Sequence, residues 1–318
     1  MNKRWECYEI NEEKVNEIVE KYNVSSLLAK ILVNKNIIKE EEIKLFLNPT
    51  RNDFHNPFLM PDMEKAVDRI LKAIQNNENI LIYGDYDVDG ITSVTVLKRF
   101  FKDRGVNVNY YIPNRLNEGY GLNKEAIKKI IDDGTNLMIT VDCGITGNKE
   151  IDYGNSLGLD TIVTDHHEPG EILPNALAVI DTKREDNIYP FRELAGVGVS
   201  FKLIQAISQK LGLEEKEYLK YLDIVCVGTI SDIVPLVDEN RVITKLGLKL
   251  VQVTKNVGLK AILEVSGYKK VDSTTVSFGI APRINACGRM GAEKEALNLF
   301  LSENLNEAKK IARKAKPI

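Results

Sequence analysis

Three apolar runs in this 318-residue chain end in acidic residues, the first of them in three aspartates at alternate positions. Leu81-Ile82-Tyr83 leads into Asp85-Tyr86-Asp87-Val88-Asp89-Gly90, Met138-Ile139-Thr140-Val141 into Asp142-Cys143-Gly144, and Ile162-Val163-Thr164 into Asp165-His166-His167. A fourth apolar segment, residues 224–230, leads to Asp232. Like charges at this density repel one another, and a divalent cation turns the repulsion into coordination. In extended backbone, residues two apart point the same way, so Asp87 and Asp89, with Asp85 as a third, converge. An acidic, glycine-closed turn taken alone has an equally weighted bland reading, a solvated loop after a strand.

The four segments together tip that balance. Four or five carboxylates and two of the chain's three histidines are a donor set for two divalent metals bridged by one carboxylate. Mixed imidazole and carboxylate ligands suit manganese better than magnesium or calcium, and the lack of a thiolate cluster argues against structural zinc. Such a centre activates water and neutralises a phosphoryl group in flight, so phosphoester hydrolysis is the expected chemistry. Asp142, on the strand expected between the other two acidic ends, is the candidate bridge. Asp87 serves one metal, with Asp89, His166 and Asp232 on the other. His167 is set to donate to phosphate or the leaving oxygen, with Asp165 orienting an imidazole from behind.

Three further places have anion-binding character, each with a plainer alternative. Gly196-Val197-Gly198-Val199-Ser200 precedes an expected helix containing Lys202, so N–H groups of Gly198 and Ser200 and the lysine can meet a phosphate; a GxG is often only a tight turn. Arg283, Asn285 and Arg289 lie among small residues, where guanidinium groups clamp phosphate or form a salt-bridged loop. Arg115, near Tyr120, suits backbone phosphate or base stacking, or a solvated loop.

These groups need a scaffold that gathers them. Strand and helix alternate from residue 79 to 180: strands at 79–83, 106–112, 137–141, 161–164 and 177–180, with helices at 91–101, 123–132 and 148–155 between the first four. That rhythm predicts a parallel sheet flanked by helices, with all carboxyl ends, and therefore all acidic motifs, on one edge. Residues 11–47 repeat apolar side chains at three and four, predicting a small helical N-terminal cap. Beyond Pro190 the pattern is mostly helical: 200–211, 217–227, 241–250 and 257–266, then strand or irregular character over 271–281 and one helix over 292–316. The expected units are 1–60 (cap), 61–265 (catalytic domain) and 266–318 (phosphate-binding segment and start of a linker helix). With 43% apolar and 28% charged residues, the class is an α/β globular protein. Four separated cysteines indicate free thiols rather than a disulfide framework. No segment reads as a membrane span or secretory signal, so a cytoplasmic location and no membrane partner are expected. The net charge of -3 neither requires nor excludes nucleic acid, but weighs against a DNA coat protein.

The ordered set Gly84-Asp85-Tyr86-Asp87-Val88-Asp89-Gly90, Val141-Asp142-Cys143-Gly144, Asp165-His166-His167, Gly228-Thr229-Ile230-Ser231-Asp232 and Asn285-Ala286-Cys287-Gly288-Arg289 resembles the DHH phosphoesterase superfamily, in particular its RecJ-like branch. The flanking segments 111–121 and 189–198 carry the same likeness. The resemblance implies a metal-dependent exonuclease removing nucleotides from the 5′ end of single-stranded DNA, using Mn2+ or Mg2+, in recombination and repair. It implies Asp87, Asp89, Asp142, His166 and Asp232 as metal ligands, with His167 and Arg289 near the phosphate. Single-stranded DNA is the expected partner, alongside single-stranded-DNA-binding or helicase proteins of repair, and a monomer is the default state.

Two departures from the family pattern stand out. Pyrophosphatases of the superfamily carry histidine where Tyr83 stands, which leaves Asp85 or water to complete one metal site. RecJ-like proteins also continue into a second domain and an OB-type domain that these 318 residues do not include; a truncated chain and a minimal enzyme are both open, and if the chain is whole, strand retention, polarity and turnover are expected to be impaired. Two other functions compete: a related enzyme acting on short oligoribonucleotides or cyclic dinucleotides, which the flanking motifs disfavour, and a catalytically impaired DNA-binding fragment or scaffold. The latter would show loss of a ligand, and all five principal ligands are present.

Overall fold

In a computed structural model, residues 9–114, 117–289 and 293–315 are described, with the side chains of residues 287–289 and 293 left aside. The chain divides into two compact units, Met1–Asp53 and Phe54–Ile318.

The first unit holds helices α1 (Glu12–Tyr22), α2 (Ser26–Asn34) and α3 (Glu40–Leu47). Asn11 and Ser25 cap the first two by accepting from the Lys14 and Leu28 amides, which satisfies donors that a helix start leaves open. Val15, Ile18, Ala29, Leu32 and Ile43 are buried.

In the second unit α4 (Met63–Gln75) leads into a five-stranded parallel sheet: β1 (Ile80–Gly84), β2 (Asn109–Tyr111), β3 (Leu137–Val141), β4 (Asp160–Asp165) and β5 (Ala178–Asp181), in the order β2-β1-β3-β4-β5. Helices α5 (Val88–Lys102), α6 (Lys124–Asp132) and α7 (Asn148–Ser156) form the crossovers. β1, β3 and β5 are buried at every position, as the continuous apolar runs require of strands covered on both faces. Alternation divides their side chains. Ile82, Ile139, Ile162 and Ile180 share a core with residues of α4, α5 and further helices. Leu81, Tyr83 and Met138 face α6, and Val163 and Val179 pack with Ile151 of α7. Registry pairs Gly84 with Val141, Val141 with Thr164, and Asp165 with Asp181, so the acidic ends are level on one edge, with β3 between β1 and β4.

After the sheet come α8 (Gly196–Lys210), α9 (Lys216–Leu219), α10 (Leu222–Ser231), α11 (Asp238–Gln252) and α12 (Val257–Ser266). The helix expected over 217–227 is therefore two pieces. Helix α8 begins four residues before the expected Ser200, taking the GVG segment into its first turn. The 271–281 segment is helical, not strand-like: α13 (Ser273–Thr275), capped by the Asp272 carboxylate, runs through a π-turn (Val276–Ile280) into α14 (Ala281–Arg289). The expected single final helix is α15 (Glu293–Leu301) and α16 (Leu305–Lys314). The Asn304 side chain restarts the helix by accepting from the Asn306 and Glu307 amides. Among the described residues no helix is long and apolar enough to cross a membrane.

Candidate metal centre

Each acidic motif ends an element, and the local reason differs. Asp87 leaves β1 in extended backbone and caps α5, accepting from the Gly90 amide at 3.0 Å. The helix therefore begins at Val88, and Asp89 lies in its first turn rather than in the extended turn the spacing suggested. Asp142 follows β3 with φ of 59°, a left-handed backbone that turns its carboxylate out of the strand direction. His166 and His167 follow β4 directly, and Asp232 terminates α10.

Three donor sets result, each with ligand atoms within 4.8 Å of one another: Asp85, Asp87 and Asp142; Asp142, His166 and His167; Asp89, His166 and Asp232. Asp142 and His166 each belong to two sets. His166 Nε2 is 3.1 Å from Asp142 Oδ1, 3.7 Å from Asp232 Oδ2 and 3.8 Å from Asp89 Oδ2. Asp142 Oδ1 and His166 Nε2 are buried and neither has a hydrogen-bond partner. Buried polar atoms are nearly always paired, and two orphans aimed at one point, with further carboxylates around them, fit a cation shared among them.

The electrostatics agree with that fit. Burial, then the carboxylates of Asp232 and Asp87, pushes Asp89 well up. Burial, then Asp89 and Asp87, does the same to Asp142. Burial with Asp87 lifts Asp232 to about 6, while burial and the adjacent His167 push His166 down to about 4. By itself the cluster favours neutral acids and neutral imidazole; a bound cation would invert the first preference and reinforce the second.

The surrounding structure is cut to hold the cluster. The amides of Gly196 and Val197, at the buried start of α8, donate to the two oxygens of Asp89 at 2.7 and 2.9 Å, so the positive helix end serves a carboxylate of this chain. A Cβ on Gly196 would stand 2.5 Å from Asp142 Oδ1, and one on Gly228 2.2 Å from Thr92 Oγ1 and 3.1 Å from Asp89 Oδ1. Asp165 accepts from the Ile145 and His166 amides at 2.9 and 2.8 Å, and its Oδ1 lies 2.7 Å from His167 Nδ1. Burial opposes ionisation of Asp165, yet these contacts, led by His167, hold it below the usual carboxylate range. The same bond, against burial, raises His167.

Two nearby residues went unnoticed as parts of the site. The Tyr120 hydroxyl lies 3.3 Å from His167 Nδ1 and 3.4 Å from the Asp142 carbonyl. Asp181, beside Asp165 across the β4–β5 pairing, is fully buried, and its Oδ2 lacks a partner. Its signal was the same as the others, the apolar run Val179-Ile180 ending in an acid. Tyr83 faces away from the centre, donating its hydroxyl to the Gly121 carbonyl at 3.0 Å and stacking on Tyr111. Cys143 is buried and packs beneath the site.

Several expected phosphate contacts are placed elsewhere. Lys202 is fully buried against Glu239 at 2.8 Å and donates to the His55 carbonyl at 2.7 Å. Ser200 is fully buried, and Gly198 packs in α8 against Leu194. Because α8 starts at Gly196, its free amides meet Asp89 and the residues beyond them turn into the core. Arg283 donates to the Ala315 carbonyl at 3.1 Å, closing the end of α16. Asn285 is half-buried in α14. Arg115 lies outside the described residues, as does the side chain of Arg289.

Residues 79–229 match the DHH family, N-terminal domain. The chain is 42% identical over 311 residues to the single-stranded-DNA-specific exonuclease RecJ of Bacillus subtilis (strain 168), an alignment covering 97% of this chain and 39% of that protein. A crystal structure of exonuclease RecJ bound to manganese aligns with a TM-score of 0.75 at 36% identity, over 80% of this chain and 65% of that one. RecJ from Thermus thermophilus in complex with Mn2+ aligns with a TM-score of 0.80 at 30% identity, over 96% of this chain and 43% of that one. The chain thus spans well under half the length of the B. subtilis relative.

Proposed function

Residues 79–229 form a domain of the DHH family, and on that premise we propose that the chain hydrolyses phosphodiester bonds of single-stranded DNA from a 5′ end, with divalent manganese or magnesium, in recombination and repair. The observation that carries the reading is the orphaned pair Asp142 Oδ1 and His166 Nε2, buried 3.1 Å apart amid Asp89 and Asp232.

In this reading Asp87 and Asp85 would hold one cation and Asp89, His166 and Asp232 the other, with Asp142, which lies within reach of both groups, as the shared ligand. Bound there, the cations supply Lewis acidity to water and neutralise charge on the phosphoryl oxygens. The chain's own residues do the rest. The α8 amides hold Asp89 in one rotamer, which preorganises the cluster. Asp165 holds His167 by Nδ1, and that bond raises the imidazole above its ordinary value, favouring the protonated ring. Its Nε2–H is then available to donate to a phosphoryl or leaving oxygen. Tyr120 packs edge-on against that ring and limits its rotation.

The test is hydrolysis of 5′-labelled single-stranded DNA, duplex DNA, RNA and a dinucleotide, with manganese present or withheld. Manganese-dependent loss of single-stranded DNA alone is expected. Preference for the dinucleotide would replace this reading with that of a short-oligonucleotide phosphodiesterase.

A further inference from the structure

A second concavity, of about 650 Å3, lies at the end of α5 remote from the carboxylates. Lys98, Arg99 and Lys102 follow Asp89 along α5, which sets the hollow about 14 to 20 Å from the metal centre. The lining collects Lys98, Arg99, Lys102 and Lys255 against Asp103 and Glu303.

Both acids are already engaged. Lys102 pairs with Glu303. Asp103 accepts from the Tyr221 hydroxyl at 2.7 Å and pairs with Lys220 at 2.9 Å, two residues outside the lining. Lys98 Nζ donates to the Val108 carbonyl at 2.6 Å, and Lys102 stands one turn further along the helix, a spacing at which like charges repel. Burial and that neighbouring ammonium push Lys98 down. Arg99 and Lys255 make no ion pair among the described residues. Lys102 has its counter-charge in Glu303 and Arg99 acts on Asp103 and Glu303 at longer range, yet four cations against two acids leave the hollow with an excess of positive charge, the inverse of the strand-end cluster.

The hollow also has an apolar side, Val106, Val257 and Leu301, and its volume lies within the range of small-molecule sites. A phosphate on a guanidinium and ammonium rim, with sugar and base against aliphatic side chains, matches both features. We propose that this pocket binds the phosphate of a nucleotide at a site separate from the metal centre. The nucleotide is either a free mononucleotide or one unit of a single strand, and the pocket's chemistry is the same for both. This inference does not rest on the proposed hydrolysis.

The test is calorimetric titration of the protein in EDTA, which silences the metal centre, with thymidine 5′-monophosphate, thymidine and an oligothymidylate. The monophosphate should bind at least about tenfold tighter than thymidine. Arg99→Glu and Lys255→Glu should each weaken it by about tenfold or more at unchanged melting temperature, while Asp142→Ala leaves it as it is. An oligomer binding more tightly than the monophosphate assigns the site to the strand, and an equal or weaker one to the free nucleotide. Equal binding of thymidine and its monophosphate, or wild-type affinity in both charge-reversal variants, overturns the proposal.

Discussion

Asp142 Oδ1 and His166 Nε2 face each other across 3.1 Å, both buried, and no hydrogen bond joins them. Each comes from a neighbouring strand end, so the sheet pairing itself sets their separation. Asp142→Ala should abolish manganese-dependent hydrolysis while keeping the fold, because it removes a buried carboxylate whose ionisation opposes folding. Circular dichroism and nuclease assay of one preparation check both halves; undiminished activity would remove Asp142 from the bridging role.

The Gly196 approach gives a graded comparison. Gly196→Ala drives a methyl to 2.5 Å from Asp142 Oδ1, whereas Gly198→Ala meets only Leu194 carbons, at 3.2 Å and beyond. Manganese affinity measured by calorimetry should fall by about 10- to 100-fold in the first and change little in the second.

Manganese should stabilise the chain, because a bound cation would offset the burial and mutual repulsion that oppose ionisation of Asp89, Asp142 and Asp232. At a hundredfold excess over Kd the gain is about 2.7 kcal/mol per site. A melting temperature that does not move between EDTA and excess manganese would count against any metal at this edge.

Asp181 carries a pH signature. Burial pushes its carboxyl up to about 8, so the native state holds a proton that the unfolded chain releases near pH 4. Protonation therefore supports folding fully at acid pH, and that support is lost as pH rises from about 4 through 8, by at most about 1.4 kcal/mol per pH unit. Asp181→Asn keeps the acceptor for the Lys183 amide. The variant should match wild type near pH 4 and exceed it in stability above pH 8, as urea denaturation at the two values would show.

Lys202 separates two readings of one motif. Its ammonium is fully buried on Glu239, whose other oxygen accepts from the Tyr189 hydroxyl. Lys202→Met strands that carboxylate and should cost about 3 to 5 kcal/mol. A phosphate-binding lysine would instead raise KM at unchanged stability.

Much of this was legible in the sequence for one physical reason. A parallel sheet has one carboxyl edge, so acids closing Leu137–Val141 and Asp160–Asp165 had to meet once both were read as strands. What escaped depended on which donor an anion finds first. The GVG amides were sound as an anion site, but the anion is Asp89, 107 residues away in sequence from Gly196, and no spacing rule reports such a meeting. With the helix start displaced to Gly196, Ser200 and Lys202 rotate inward. Arg283 has the chemistry of a phosphate clamp and spends it on helix-end carbonyls. Asp181 ends an apolar run as Asp142 and Asp165 do, but no histidine or second acid follows it within two residues as His166 and His167 follow Asp165.

The donors of the metal centre are supplied by segments from Asp85 to Asp232, contributed by three strand ends, the start of α5 and the end of α10. Every donor set joins segments at least 50 residues apart in sequence or from separate elements, so metal capture is a late event in refolding: loop closures spanning the β1–β3–β4 pairings must precede it, and such long-range parallel pairing is slow. A manganese-sensitive signal in a stopped-flow refolding experiment would therefore time completion of the sheet, and would lag the fast helical phase given by α1, α2 and α3.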